Sequence, residues 1–160
     1  MTDIDLIASQ LGVDQLRPVQ REMIEAAIRG ESCLGIFPTG WGKSICFQIP
    51  AFIQSDGCTV VFSPLISLMD DQCRILVSRG FREVAAIHSR LSDEAMRSVL
   101  HDFQLGRIKL LYVAPERISH AKRSLLDYLD GAKVNYVVID EAHCDPKWKE
   151  DFRPEYAKIP

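Results

Sequence analysis

No stretch of this chain reaches the roughly 18 consecutive apolar residues that a membrane-spanning helix requires. Met1–Asp5 carries acids where a secretory leader would carry basic residues. A membrane is therefore not an expected partner, and a cytoplasmic location is the default reading. An excess of basic charge is also missing. Lys and Arg number 19 against 22 Asp and Glu, a net charge of −3, which excludes a globally basic nucleic-acid coat while leaving room for a local phosphate-binding surface. No C-x-x-C pair occurs. Cys33, Cys46, Cys58, Cys73 and Cys144 are an odd, scattered set that argues against a disulfide framework and a zinc site, and they read as small buried apolar residues in a reducing compartment. Internal repeats, low-complexity tracts and linkers are absent. The 160 residues are 47% hydrophobic and 26% charged, which places the chain among ordinary globular proteins and makes residues 1–160 one domain's worth of sequence.

What is present alternates between two periods. Ser32–Phe37, Thr59–Phe62, Val84–Ile87, Lys109–Val113 and Val134–Ile139 are strand-length, rich in β-branched residues and in several cases apolar on both faces, as buried parallel strands are. Helical segments lie between them. Pro18–Arg29 has proline in its first turn and Gly30 after its end. Pro64–Arg79 follows Ser63, a candidate N-cap, and stops at Gly80. Ser92–Leu105 opens on a capping serine with acids in its first turn and ends at Gly106, and Ser119–Asp130 ends at Gly131. This alternation predicts a three-layer α/β fold, with helices on both faces of a parallel sheet of at least five strands. After Ile139 the sequence turns polar and aromatic and reaches Pro160 without another strand or helix, so the domain is expected to be incomplete at that end.

The first chemical motif follows the first apolar run. In Pro38-Thr39-Gly40-Trp41-Gly42-Lys43-Ser44 the glycines let backbone N–H groups curl around phosphate oxygens, and the helix that follows turns its positive end to the same anion. Lys43 suits the β- and γ-phosphates and the Ser44 hydroxyl suits magnesium. The textual motif G-x-x-x-x-G-K-[ST] is incomplete, because Phe37 stands at its first glycine. A complement lies far downstream: the strand Val134–Ile139 ends in Asp140-Glu141-Ala142-His143, at the edge where open α/β sheets bind ligands. Asp140 is placed to hold magnesium and Glu141 to orient or deprotonate a water. Alone, paired acids after a strand are often only a solvated loop; with the cradle they point to nucleotide hydrolysis, Lys43 and Asp140 converging at the carboxyl edge.

Together these segments resemble motifs I and II of superfamily-two helicases, and further residues narrow the resemblance to the RecQ DNA helicases. Leu16-Arg17-Pro18-Val19-Gln20 resembles that family's adenine-recognition motif. Val61 to Gln72 and Leu111 to Arg117 resemble its DNA-facing motifs. Cys144 after the acidic tetrad, then Trp148 and Asp151 to Tyr156, resemble its aromatic-rich loop, which couples DNA binding to ATP hydrolysis. The resemblance implies a RecA-like lobe of a P-loop NTPase, with ATP and magnesium as cofactors and DNA, single-stranded or at a junction, as partner. It assigns Arg17 and Gln20 to the base, Thr39, Gly40, Gly42, Lys43 and Ser44 to the phosphates, Ser44 and Asp140 to magnesium, and Lys43, Asp140, Glu141 and His143 to catalysis. Ser63, Pro64, Arg117, Trp148, Phe152 and Arg153 are assigned to DNA. The family's motor is two RecA-like lobes, so a second lobe is expected in the full-length protein, and the location becomes cytoplasmic and nucleoid-associated, or nuclear.

This chain departs from the family's pattern. Val13 stands where an aromatic residue stacks on adenine, which predicts weaker nucleotide affinity and weak discrimination against GTP. Trp41 replaces a glycine of the cradle and must point away from the phosphates. Asp145-Pro146-Lys147 and Lys149-Glu150 alter the aromatic loop, stiffening its start and setting an acid near the DNA path. Trp148, Phe152 and Tyr156 have the spacing of one helical face, yet Pro146 and Pro154 bracket them and favour a loop. His88, His101 and His120 have no partner evident in the sequence and are expected at the surface. Two other classes stay open at this point: an RNA helicase or other superfamily-two translocase, and a nucleotide-binding remnant without motor activity.

Overall fold

The computed structural model describes residues 3–117 and 131–141. Nine regular elements and one short turn run in the order α1 (Asp3–Gln10), α2 (Pro18–Ile28), α3 (Ile45–Ile53), β1 (Cys58–Phe62), α4 (Ile66–Ser78), β2 (Val84–Ile87), α5 (Asp93–Gln104), β3 (Leu110–Val113), a single 3₁₀ turn at Pro115–Arg117 and β4 (Val134–Ile139). The strands form one sheet in the order β2-β3-β1-β4, and every pair is parallel. The chain steps outward from β1 past β3 to β2 and then turns back to β3. With right-handed crossovers, that reversal sends α4 and α5 to opposite faces of the sheet.

The alternation of side chains along the strands confirms the layers. Val61, Leu110 and Tyr112 point to the face shared with Ala8, Ile24, Ile49, Met69 and Leu76 of the first four helices. Val60, Phe62, Leu111 and Val113 point to the other face, against Leu100 and Phe103 of α5. The central strands β1 and β3 are buried at every residue, as expected of strands apolar on both faces. The helix caps follow the sequence: Ser92 Oγ accepts the Ala95 N–H at 3.2 Å at the start of α5, while acids occupy its first turn.

Helix α3, which begins directly after Ser44, is apolar almost all round and buried along its length. One polar side chain inside it is matched. Gln48 donates to Gln72 Oε1 of α4 at 2.8 Å and to the Tyr112 hydroxyl of β3 at 3.1 Å. This buried network pins the helix to both α4 and the sheet, and burial pushes the Tyr112 phenol well above its ordinary range.

The structure corrects the sequence reading at several points. Ser32–Phe37 is not a strand, and among the described residues the sheet has four strands rather than five. Leu34 and Ile36 are 84% and 90% exposed. The run is short and interrupted by Gly35, whose α-carbon lies so close to α2 that a Cβ would come within 2.6 Å of the Met23 sulfur; a glycine there weakens strand pairing. Helix α4 starts at Ile66, not Pro64, with Leu65 as its uncapped N-terminus. Ser63 is drawn instead into the sheet, its N–H donating to Val113 O at 3.1 Å. His88 is 4% exposed rather than at the surface, and Cys33 is exposed rather than buried. The predicted helix Ser119–Asp130 lies outside the described residues.

Candidate functional site

Two chain segments meet at the carboxyl end of β4. The first is the loop between Ser32–Phe37 and α3. Gly40 and Gly42 adopt φ of +79° and +71°, the left-handed region that only glycine enters without strain, and the Trp41 N–H closes a turn on Pro38 O at 3.2 Å. These two left-handed residues fold the loop back so that Lys43 and Ser44 lead directly into α3. Thr39 and both glycines are exposed, and Ser44 and Lys43 are half-buried. The second segment is Asp140-Glu141. The Asp140 N–H extends the ladder by donating to Phe62 O at 2.9 Å, which fixes the acid beside the end of β1. Glu141 then turns into the left-handed region at φ +52°, an unusual conformation for a residue with a Cβ. Its N–H donates to Asp140 Oδ1 at 3.0 Å.

The segments touch through charge. Lys43 Nζ lies 2.6 Å from Glu141 Oε1, although the two residues are 98 apart in sequence. Both side chains are partly shielded from solvent, so the ammonium and the carboxylate meet where water screens them only in part. Ser44 at the start of α3 and Asp140 after β4 add a hydroxyl and a second carboxylate. Few donors, all of them hard oxygens, match magnesium, which keeps several waters and takes one or two carboxylates.

A third segment supports the loop. Gln20, 3% exposed on α2, accepts the Arg17 N–H at 2.8 Å and donates to the carbonyls of Trp41 at 2.8 Å and Gly42 at 3.3 Å. The side chain that the sequence assigns to base recognition thus also braces the cradle from behind. Arg17 is exposed, and its guanidinium lies 4.2 Å from the centroid of the Trp41 ring, a cation–π contact. Trp41 thus packs its ring against Arg17.

The candidate DNA-facing residues that are described lie at the ends of other strands. Ser63 is buried and Pro64 half-buried after β1, and Arg117 follows β3 and donates to His88 O at 3.3 Å. Among the described residues, Ser63 Oγ and Arg117 Nε are buried without a hydrogen-bond partner. Beside them is a cluster that sequence reading missed: His88 Nε2 is 2.8 Å from Asp70, which also meets Arg90 at 3.4 Å. The only signal in the sequence was Asp70 within the segment Val61 to Gln72. His143, Trp148, Phe152 and Arg153 lie outside the described residues; contacts in the structure tie Arg17 and Gln20 to Gly42, and Lys43 to Glu141 and Asp140, with Thr39, Gly40 and Ser44 adjoining them in the chain.

Fold and site together define the class, a RecA-like α/β helicase lobe with a glycine-rich phosphate loop facing strand-end acids. A family model for the DEAD/DEAH box helicases matches residues 17–160, and the chain belongs to that family. It is 40% identical over 158 residues to the ATP-dependent DNA helicase RecQ of Haemophilus influenzae, a match covering 99% of this chain and 25% of that protein. It is 41% identical over 157 residues to the ATP-dependent DNA helicase RecQ of Bacillus subtilis, covering 96% and 26%. The ATP-dependent helicase SGS1 of Saccharomyces cerevisiae is 38% identical over 149 residues, covering 89% of this chain and 10% of that protein. The resemblance to RecQ helicases read from the motifs agrees with these matches, and the chain spans about a quarter of the length of its bacterial RecQ relatives.

Proposed function

We propose that this chain is the ATP-binding lobe of a RecQ-like DNA helicase, coupling hydrolysis of Mg-ATP to 3′–5′ translocation on DNA and to unwinding in a two-lobed motor. The observation that carries this reading is the 2.6 Å contact between Lys43 and Glu141, which sets the cation of the phosphate loop against the acid pair of the D-E-A-H tetrad. An incoming triphosphate competes with Glu141 for the Lys43 ammonium. Once Lys43 turns to the phosphates, Glu141 is released and can orient or deprotonate the attacking water. Ser44 and Asp140 would hold magnesium, which when bound neutralises charge building on the phosphates. Gln20, whose amide is engaged by the Arg17 N–H and the Trp41 and Gly42 carbonyls, reads the base by giving up part of that network, and His143 relays the state of the γ-phosphate position to the DNA-facing loop. Ser63, Pro64 and Arg117, with Trp148, Phe152 and Arg153, would grip a single strand mainly through its phosphates and by stacking. An arginine finger from the second lobe typically contributes about 10³–10⁵ in rate, so the 160-residue chain by itself binds ATP but turns it over slowly and separates no strands.

Titration calorimetry with Mg-ATP tests this reading. The native chain should bind, and Lys43→Ala should lose at least about 100-fold in affinity with its circular dichroism unchanged, since a charge-assisted phosphate contact is among the stronger hydrogen bonds. Equal affinity in the variant would remove the phosphate-loop assignment.

A further inference from the structure

We infer that Trp41 is a base-binding residue of the nucleotide site: with Arg17 it forms the stacking platform for the purine base. The inference rests on the nucleotide-binding reading above and adds to it where the base goes. Tryptophan in a phosphate loop is costly to leave in water, yet Trp41 is 41% exposed. It is held there from two sides. Its carbonyl accepts the Gln20 amide at 2.8 Å, and its ring carries the Arg17 guanidinium at 4.2 Å. The result is a flat π surface and a flat cation arranged as a stack, two residues before Lys43 in the chain.

That arrangement fits a purine. A base attached to a triphosphate seated on Lys43 must lie near the loop, where the exposed indole of Trp41 and the exposed guanidinium of Arg17 offer flat surfaces. Arg guanidinium and indole are the two protein surfaces on which bases stack most readily. Val13, ahead of α2, offers no flat surface and is packed against the core. The aromatic needed for stacking is therefore supplied by the loop itself. Since a stack has no hydrogen-bond pattern, the platform accepts adenine and guanine alike.

The test uses the full chain and compares Mg-ATP, Mg-GTP and inorganic tripolyphosphate by calorimetry in the native protein, Trp41→Leu and Trp41→Phe. Trp41→Leu should weaken ATP and GTP about tenfold each, within the range that one aromatic stack contributes, and leave tripolyphosphate within about twofold, whereas Trp41→Phe should retain most of the nucleotide affinity. Unchanged ATP affinity in Trp41→Leu, or an equal loss for ATP and tripolyphosphate, would overturn the platform, the second outcome showing that Trp41 acts on loop shape alone. Native chain that binds neither nucleotide nor tripolyphosphate would overturn the phosphate-loop reading, a failure distinct from one that spares tripolyphosphate.

Discussion

The middle of the sheet and its β4 flank are built on different terms. Strands β1 and β3 are buried at every position and packed on both faces. On β4, by contrast, Val137 and Ile139 are exposed. The chemistry sits on the second flank, where Lys43, Asp140 and Glu141 meet. Burial, which supplies most of the folding energy, is thus concentrated away from the groups that would handle phosphate. Stability and binding should be separable by mutation.

The sharpest way to break that comparison is to cut the packed side. Leu111, fully buried on β3, should lose about 2–5 kcal/mol on replacement by Ala. Val137→Ala on β4 should stay within about 0.5 kcal/mol. Urea denaturation of the two variants measures both, and similar losses would mean that the flanks do not differ. Next in size is the loop. Gly42→Ala should cost about 1–2 kcal/mol from its left-handed backbone, and its Cβ would also lie 3.1 Å from Gln20 Nε2. Gly40→Ala has the same backbone problem but nothing within 4 Å of the new Cβ, so it should weaken Mg-ATP less than Gly42→Ala does. Calorimetry on the pair separates the brace from the backbone.

Smaller effects come from the thiols. Burial pushes Cys46 up to about 11 and Cys58 and Cys73 up to about 12, from an ordinary value near 9. Each is held neutral by the fold, so its contribution to stability is whole below about pH 9 and is lost as pH rises toward 11–12, where the unfolded chain ionises more easily. Denaturation midpoints should fall across that window. At pH 8 iodoacetamide should modify Cys33 rapidly, and Cys46, Cys58 and Cys73 only on unfolding. Ser92→Ala should cost about 1 kcal/mol through loss of the α5 cap.

Much of this was readable in advance where one local rule dominates. Apolar runs flanked by glycine located β1, β2, β3 and β4 to within a residue, and the Ser92 cap and its acids located α5. Both partners of the Lys43–Glu141 contact stood out because each follows a strand-length run. The failures share a cause: tertiary context decided them. Ser32–Phe37 has strand composition, but Gly35 and the approach of Met23 place it against α2. Ser63 looks like a cap, but the backbone ladder to Val113 claimed it first. Buried His88 carries no local signal, since its partner Asp70 is on another element. Trp41 was read only as a side chain that must avoid the phosphates, because its contact with Arg17 joins two separate segments.

The most direct test of the central claim is a map of backbone amide shifts by nuclear magnetic resonance as Mg-ATP is added to the native chain. If Lys43 and Glu141 mark the phosphate site, the largest changes fall on Gly40, Gly42, Lys43 and Ser44, with Glu141 following as its ion pair opens. Changes confined to the Asp70–His88 cluster, or an unmoved phosphate loop at saturating nucleotide, would contradict it.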